Sequence, residues 1–235
     1  MPRKPRQLEV EGIYHIVKRG VEKRDIFLKP QDYSRFILGL EFCNTTSPTD
    51  LWSLVGTVPT KLKEQLQERR RTKGSFLVEV LAFALMPNHI HLILREIIPG
   101  GISLFIRKLG GYSTYFNKQY KRVGPLFQSR FKDVPIRNDI QLHNAFVYVH
   151  TNPVELWESG WKEFYVRNPK TALRKLKEYQ FSSFNDYIGN ETFPSTISRD
   201  FFLNFYGNEQ RCHQAVEDWI SFKARETQLG SEILE

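Results

Sequence analysis

Cysteine is scarce in this chain of 235 residues, which contains only Cys43 and Cys212. Two cysteines so far apart make neither a disulfide framework nor the paired spacing of a zinc site, and we interpret both as small apolar residues. Long apolar runs are absent too, since no stretch reaches the roughly 18 residues of a membrane helix. The basic N-terminus, MPRKPRQLEVEG, lacks the apolar core of a signal peptide. These absences predict a cytoplasmic protein with no membrane partner.

Acidic residues are outnumbered by basic ones, and the formal net charge is +8. The imbalance is strongest in residues 103–137, where Asp133 is the single acid. The same stretch contains seven aromatic residues, and its cations are Arg107, Lys108, Lys118, Lys121, Arg122, Arg130, Lys132 and Arg137. Cations that neutralise phosphates and rings that stack on bases are typical of a surface that binds single-stranded nucleic acid. The alternative is that the rings form core and the cations a solvated face, but the charge imbalance favours a polyanionic partner.

Hydrophobic periodicity divides the chain into strands and helices. Residues 11–20 alternate as a strand does, and a helix follows from a capping Asp32. The stretch FLVEVLAFALMPNH predicts a strand and a Pro-Asn turn, after which HIHLILRE predicts a second strand. Residues 103–122 have a helical pattern that Gly110-Gly111 would interrupt. The turn-rich and highly charged residues 45–75 indicate an insertion, and the sequence beyond 155 is rich in helical patterns.

Two histidines lie within the apolar run LMPNHIHLIL, at positions 89 and 91. Residues two apart on a strand point to the same face, so His89 and His91 are expected side by side. A pair of imidazoles on one face is a common way to hold a divalent metal, with further ligands from elsewhere. The alternative is one satisfied core histidine and one surface histidine. The H-x-H spacing in an apolar strand favours the metal.

The clearest helix is NDIQLHNAFVYVHTNP, residues 138–153, with a capping Asn138 or Asp139 and a stop at Pro153. Tyr148 and Asn152 are four residues apart, so they share a face at the edge of its apolar stripe. A tyrosine hydroxyl is a weak nucleophile unless a metal or positive charge activates its target. Taken alone, the pair is more simply explained as a tyrosine at the core margin and a C-terminal asparagine cap.

Several motifs together resemble the single-tyrosine HUH transposases, and within them the REP-associated tyrosine transposases. The motifs are IYHIVKRGVEKRDIFL, DYSRF, LMPNHIHLIL, GPLFQSRFK, YVHTNPV and FSSFNDYIG, and they occur in the family's order between about residues 11 and 190. The resemblance implies an α+β fold, a ferredoxin-like or RRM-like antiparallel sheet with helices on one face and the H-x-H strand in its centre. It implies a catalytic domain over residues 8–155 and a helical C-terminal appendage over residues 156–235.

The same resemblance implies a DNA strand transferase that works through a 5′-phosphotyrosine intermediate. Tyr148 matches the nucleophile, and His89, His91 and Asn152 match the ligands of Mg²⁺ or Mn²⁺. The expected substrate is single-stranded or hairpin DNA, bound by a monomer or a homodimer. For contacts with the DNA backbone we predict Arg107, Lys108, Arg130 and Lys132, and for base stacking Tyr112 and Tyr115.

Two other functions remain open. One is a domesticated protein that binds hairpin nucleic acid without cleaving it. The intact H-x-H pair and Tyr148 argue against it, because a pure binding protein needs neither. The other is a metal-dependent hydrolase in which Tyr148 is only structural.

Overall fold

The computed structural model describes residues 8–48, 76–161 and 166–232. Its four strands are β1 (Ile13–Arg19), β2 (Val78–Met86), β3 (His89–Glu96) and β4 (Lys132–Ile136). All neighbouring strands pair antiparallel, in the order β2-β3-β1-β4. The strand that carries the two histidines is therefore central, as predicted. This order, with a helix after β1 and helices after β3, is the ferredoxin-like arrangement, and the predicted α+β fold is confirmed.

Seven helices surround the sheet in the described part of the chain. They are α1 (Pro30–Phe42), α2 (Gly101–Leu109), α3 (Tyr112–Gln119), α4 (Asp139–Thr151), α5 (Pro169–Glu178), α6 (Arg199–Tyr206) and α7 (Glu209–Glu232). The break between α2 and α3 falls at Gly110-Gly111, as the sequence predicts. Short 3-10 turns follow β1 and α4 and precede α6. Among the described residues, no helix is long and apolar enough to cross a membrane.

The two faces of the sheet carry different helices. Glu96 accepts hydrogen bonds from the backbone N–H groups of Gly100 and Ile102, so the start of α2 lies on its face. His91 is an odd number of positions away on the same strand and therefore points to the opposite face. The ring of Tyr148 on α4 lies against His91 there. Helices thus cover both faces, which corrects the expectation of helices on one face only.

Helix α1 begins two residues before the predicted cap, because Pro30 takes its first position. Asp32 lies inside the first turn, fully buried. Its carboxylate accepts hydrogen bonds from the backbone N–H of Leu28 (2.8 Å) and of Lys29 (3.0 Å). It also accepts from the hydroxyls of Tyr115 (2.9 Å) and Tyr120 (2.7 Å). One buried carboxylate therefore fastens α1 to α3.

Asp32→Ala is expected to lower the free energy of unfolding by about 3 kcal/mol or more, because several buried donors lose a charged acceptor. Asp32→Asn keeps an acceptor oxygen and is expected to cost less. Urea denaturation measures both, with Asp25→Ala as an exposed control. Equal stability of Asp32→Ala and Asp25→Ala would contradict this role of the carboxylate.

The predicted helix at 138–153 is observed as α4, and Asn138 is its N-cap, whose side chain accepts from the backbone N–H of Gln141. Leu142, Phe146 and Val149 are buried on its inner side. At Asn152 the helix tightens into a 3-10 turn that contains Pro153. Both ends of the helix are therefore where the sequence predicts them.

The C-terminal part is helical as predicted and packs on α4. Phe146 meets Phe202 of α6 and Tyr187 of the preceding 3-10 turn, with ring centroids 4.6 and 5.3 Å apart. The segment around Ser182 continues the sheet beyond β2 through an isolated bridge to Ala84. The boundary at residue 155 stays a prediction. Of the predicted insertion at 45–75, residues 49–75 lie outside the described residues.

Candidate active site

His89 and His91 lie side by side on one face of β3, as their spacing predicts. Their ring centroids are 4.7 Å apart. Both side chains are nearly buried, with 5% and 3% of their surface exposed. The neighbouring strands and α4 enclose them, so this is a recessed site rather than a surface pair.

A third histidine, His15 on β1, completes the cluster. Its Nε2 lies 2.9 Å from Nδ1 of His91, within hydrogen-bond distance. Burial lowers the pKa of His15 from its ordinary 6.5 to about 4, so the ring is neutral at physiological pH. Our reading of the sequence did not single out His15. The signal was present, because in IYHIVKR the residues His15, Val17 and Arg19 alternate onto one face.

The turn before β3 holds His89. Oδ1 of Asn88 lies 2.5 Å from Nδ1 of His89, and Nδ2 of Asn88 donates to the backbone oxygen of Lys23 at 3.2 Å. The backbone oxygen of Asn88 accepts from the N–H of Gly20 at 2.8 Å. A Cβ at Gly20 would come within 2.3 Å of the Arg24 backbone oxygen, so only glycine allows the chain after β1 to fold back this closely. Asn88 is a second residue that sequence reasoning missed.

Tyr148 projects from α4 toward the histidines. Its ring centroid is 5.5 Å from that of His91 and 5.6 Å from that of His15, in edge-on contacts. It is nevertheless 43% exposed, an unusual degree for a tyrosine packed beside buried rings. The side chain therefore borders the recessed site and remains partly open to solvent.

Asn152 ends α4 four residues beyond Tyr148 and is only 3% exposed. Its Nδ2 donates to the backbone oxygen of Tyr148 at 2.6 Å, so the side chain caps its own helix. This is the capping role that the simpler interpretation of the sequence assigned to it. With the amide nitrogen engaged, Oδ1 is the atom that could ligate a metal.

Buried contacts set the position of α4 on the sheet. Nε2 of His150 lies 2.9 Å from Oγ of Ser183, and that oxygen accepts from the backbone N–H of Phe83 on β2. Burial lowers the pKa of His150 to about 3, so this imidazole is neutral. Seven residues earlier, on the same face of α4, Nδ1 of His143 lies 3.1 Å from the hydroxyl of Tyr206. Tyr148 therefore lies on a helix that polar contacts hold at two points along its length.

The residues present fit a divalent metal by their chemistry. In the described ranges, no three His, Cys, Asp or Glu side chains are grouped to hold a metal ion. A metal at His89 and His91 would therefore need other oxygen donors. The amide oxygen of Asn152 is one such donor, and phosphate oxygens of a substrate are others. Two imidazoles with such oxygens suit Mn²⁺, and Mg²⁺ shares the preference for oxygen.

Lys132 places a positive charge on the histidine face. In the sheet register Val17 pairs with His91 on one side and with Lys132 on the other. Lys132 is therefore two strand spacings from His91, about 10 Å, and it is exposed. Arg130, also exposed, precedes it by two residues, and Arg19 pairs directly with His89. Arg19 was not predicted, because strand register decides its place.

Lys132→Ala is expected to weaken DNA binding similarly for all sequences and to reduce the slope of log affinity against log salt by about 1. The reason is the loss of one cation that would contact a phosphate beside the site. Titration of a labelled strand at several salt concentrations measures both quantities. Arg107→Ala is the control, since α2 lies on the other face of the sheet. Equal effects of the two substitutions would contradict this placement of the DNA.

Four residues predicted to contact DNA are buried, engaged within the protein or on the other face of the sheet. Tyr112 is 3% exposed and its hydroxyl donates to the backbone oxygen of Ile26, so the prediction of base stacking on Tyr112 is wrong. Tyr115 donates to Asp32 and lies under the guanidinium of Arg35 (5.5 Å), which occupies a face of its ring.

Lys108 donates to the backbone oxygens of Thr45 and Ser47, both at 2.6 Å, so its ammonium group is held within the protein. Arg107 is exposed but is separated from Tyr148 by the sheet. The aromatic residues of 103–137 are thus largely core, as the alternative interpretation had it. The basic character of the site rests on β1, β4 and the residues before β4.

Comparison with known proteins agrees with the motifs. The family model described as "Transposase IS200 like" matches residues 53–152. Over these residues the chain is similar to the IS200-like transposases. It is also 25% identical over 138 residues to a "Putative REP-associated tyrosine transposase" of Haemophilus influenzae (strain ATCC 51907 / DSM 11121 / KW20 / Rd), which covers 53% of this chain and 69% of that protein. The predicted resemblance is confirmed.

A solved structure is similar as well, entitled "Structure of the REP associates tyrosine transposase bound to a REP hairpin". The match has 18% sequence identity and a TM-score of 0.47, and it covers 84% of this chain and 92% of that one. The IS200-like match ends at Asn152, so it includes both histidines of β3, Tyr148 and the helix cap. His15 lies before it.

Proposed function

We propose that this chain is a metal-dependent DNA transposase that cuts and rejoins single-stranded or hairpin DNA through a 5′-phosphotyrosine intermediate. The observation that carries the proposal is Tyr148, 43% exposed on α4 and yet in ring contact with the buried His91. A tyrosine hydroxyl is a weak nucleophile, and a metal held by the adjacent histidine pair would activate the phosphate that it attacks. The relationship to the transposases supports the same reaction.

In the proposed cleavage step, Oη of Tyr148 attacks the phosphorus of a DNA phosphodiester. The new bond joins the phosphorus to Oη, and the bond to the 3′ oxygen breaks. The tyrosine loses its proton and the leaving 3′ oxygen gains one. The phosphotyrosine keeps the phosphodiester linkage, so attack by another 3′-OH rejoins the strand and regenerates Tyr148 without a nucleotide cofactor.

His89, His91 and the amide oxygen of Asn152 would hold the metal. A bound Mg²⁺ or Mn²⁺ supplies Lewis-acid polarisation of the scissile phosphate and neutralises charge that develops on it. The chain itself contributes the orientation of these donors and the recessed position of the histidines beside α4. The cations Lys132, Arg130 and Arg19 would bring the DNA backbone to this site.

The recessed position of the histidines favours a flexible strand over a rigid duplex. His91 is 3% exposed and lies behind the ring of Tyr148, so a phosphate must reach beyond the protein surface to meet it. A single strand or an unpaired hairpin flank can present one phosphate in this way more readily than a stacked duplex. The nucleophile and both histidines belong to one chain, so a monomer would contain the complete catalytic set.

The test is to incubate labelled single-stranded and hairpin oligonucleotides with the protein and Mn²⁺. The expected product is a protein–DNA adduct that survives denaturing electrophoresis. Cleavage without an adduct would instead indicate a hydrolase, and binding without cleavage would indicate a hairpin-binding protein. Either result would overturn the proposal.

A further inference from the structure

Each proposed metal-binding histidine has its Nδ1 against a polar partner within the protein. Nδ1 of His89 faces Asn88 at 2.5 Å, and Nδ1 of His91 faces His15 at 2.9 Å. The two partners come from different elements, the Pro87-Asn88 turn and strand β1. In both histidines the nitrogen that would coordinate a metal is then Nε2.

The hydrogen bonds of Asn88 determine which of its atoms meets His89. Nδ2 donates to the backbone oxygen of Lys23, which can only accept. The atom that faces His89 is therefore Oδ1, which is also only an acceptor. Nδ1 of His89 must carry the proton of this bond, so in the neutral ring Nε2 keeps its lone pair for a metal.

The bond between His15 and His91 has two possible directions. If His15 donates from Nε2, then neutral His91 carries its proton on Nε2 and cannot bind a metal there. If His91 donates from Nδ1, then Nε2 of His91 has the lone pair that coordination requires. The ring centroids are 5.2 Å apart and the planes differ by 15°. This is the geometry of an edge-to-edge bond in the plane of both rings, where the nitrogen lone pairs lie.

We propose that Asn88 and His15 are positioning residues that accept the Nδ1 protons of His89 and His91 and so present both Nε2 atoms to one divalent cation. This inference rests on the proposed function. It assigns roles to two residues that the proposed catalytic set does not include. Partners of this kind orient metal-binding histidines, and their loss commonly weakens metal binding by about 10- to 100-fold.

The surrounding structure holds both partners in place. Strand β1 pairs with β3 along seven residues of each, with Val17 opposite His91, so His15 cannot shift without breaking the ladder. The backbone oxygen of Pro87 accepts from the N–H groups of Ile26 (2.7 Å) and Phe27 (3.1 Å). On the other side of the turn, the backbone oxygen of Asn88 accepts from the N–H of Gly20 at 2.8 Å. The partners are therefore part of rigid elements.

The test compares the loss of each acceptor with its replacement. His15→Phe and Asn88→Ala remove the acceptors, whereas His15→Gln and Asn88→Asp keep an acceptor oxygen. His213→Phe on α7 and the exposed Asn204→Ala on α6 are matched controls away from the site. Nitrogen-15 NMR of the imidazoles, in protein without metal or DNA, reads which ring nitrogen carries the proton. Titration with Mn²⁺ alone then gives the affinity.

We expect wild-type His89 and His91 to be protonated on Nδ1. We expect Mn²⁺ affinity to fall about 10- to 100-fold in His15→Phe and in Asn88→Ala, and to recover in large part in His15→Gln and Asn88→Asp. The controls should match the wild type. Wild-type His91 with its proton on Nε2, or unchanged affinity in both loss variants, would overturn the inference.

Failure of the inference and failure of the proposed function give different results. Normal Mn²⁺ binding and adduct formation together with an Nε2-protonated His91 would overturn the inference alone. A wild-type protein that binds no Mn²⁺ would overturn the proposed metal centre and this inference with it. The NMR spectrum of the metal-free protein also shows whether a loss variant is folded. If His15→Phe or Asn88→Ala is misfolded, the Mn²⁺ affinity of His15→Gln or Asn88→Asp tests the inference instead.

Discussion

Tyr148→Phe is expected to abolish the covalent protein–DNA adduct while DNA affinity stays close to that of the wild type. The substitution removes only the hydroxyl, and the ring contacts with His91 and His15 can persist. The side chain is 43% exposed, so no buried hydrogen bond is sacrificed and the fold should be unaffected. Denaturing electrophoresis measures the adduct, and a gel-shift titration measures the affinity.

Tyr14→Phe is the matched control for this prediction. Tyr14 is the residue before His15 but faces the other side of the sheet, where its hydroxyl accepts from the backbone N–H of Glu9 at 2.8 Å. It should keep full adduct formation. An adduct that persists in Tyr148→Phe would show that another residue is the nucleophile.

His89→Ala is expected to remove metal-dependent cleavage. The variant leaves one imidazole where two are needed, so Mn²⁺ binding should weaken by more than the roughly 100-fold that the loss of an outer partner can cause. His89 is 5% exposed at the end of its strand, and its truncation should be tolerated structurally better than that of a core residue. Cleavage of a labelled strand across a series of Mn²⁺ concentrations measures the effect.

His213→Ala controls for the loss of an imidazole elsewhere, since His213 lies on α7 with Glu217 as its neighbour. It should cleave with wild-type metal dependence. If His89→Ala cleaves equally well at low Mn²⁺ concentration, the assignment of His89 as a metal ligand is wrong. His91→Ala should behave as His89→Ala does, because the two rings would share one cation.

Local features of the site were predictable from the sequence. The period of two in LMPNHIHLIL places His89 and His91 on one face in any strand, whatever its neighbours are. The four-residue spacing of Tyr148 and Asn152 places them on one face of any helix. Capping and proline chemistry also predicted the ends of α4. Such features depend on the nearest residues in the chain.

Local patterns did not predict which aromatic residues of 103–137 are buried. Tyr112 lies in a stretch that mixes rings with cations, and this composition fits a stacking surface as well as a core. Its place was decided by Ile26 and Asp32, more than 75 residues earlier in the chain, which supply the acceptors for the tyrosine hydroxyls. A contact at such a separation leaves no periodic signal in a single sequence.

By itself, the sequence determined the α+β class, the histidine pair, the tyrosine helix and the resemblance to the transposases, because each depends on short-range pattern. Only the tertiary structure decided which groups meet that pair. The antiparallel register brings His15 to His91 and Arg19 to His89. It also places Lys132 across β1 from His91, on the same face of the sheet. Strand order and register arise from the packing of the whole sheet, since a shift of one residue would turn every side chain to the opposite face.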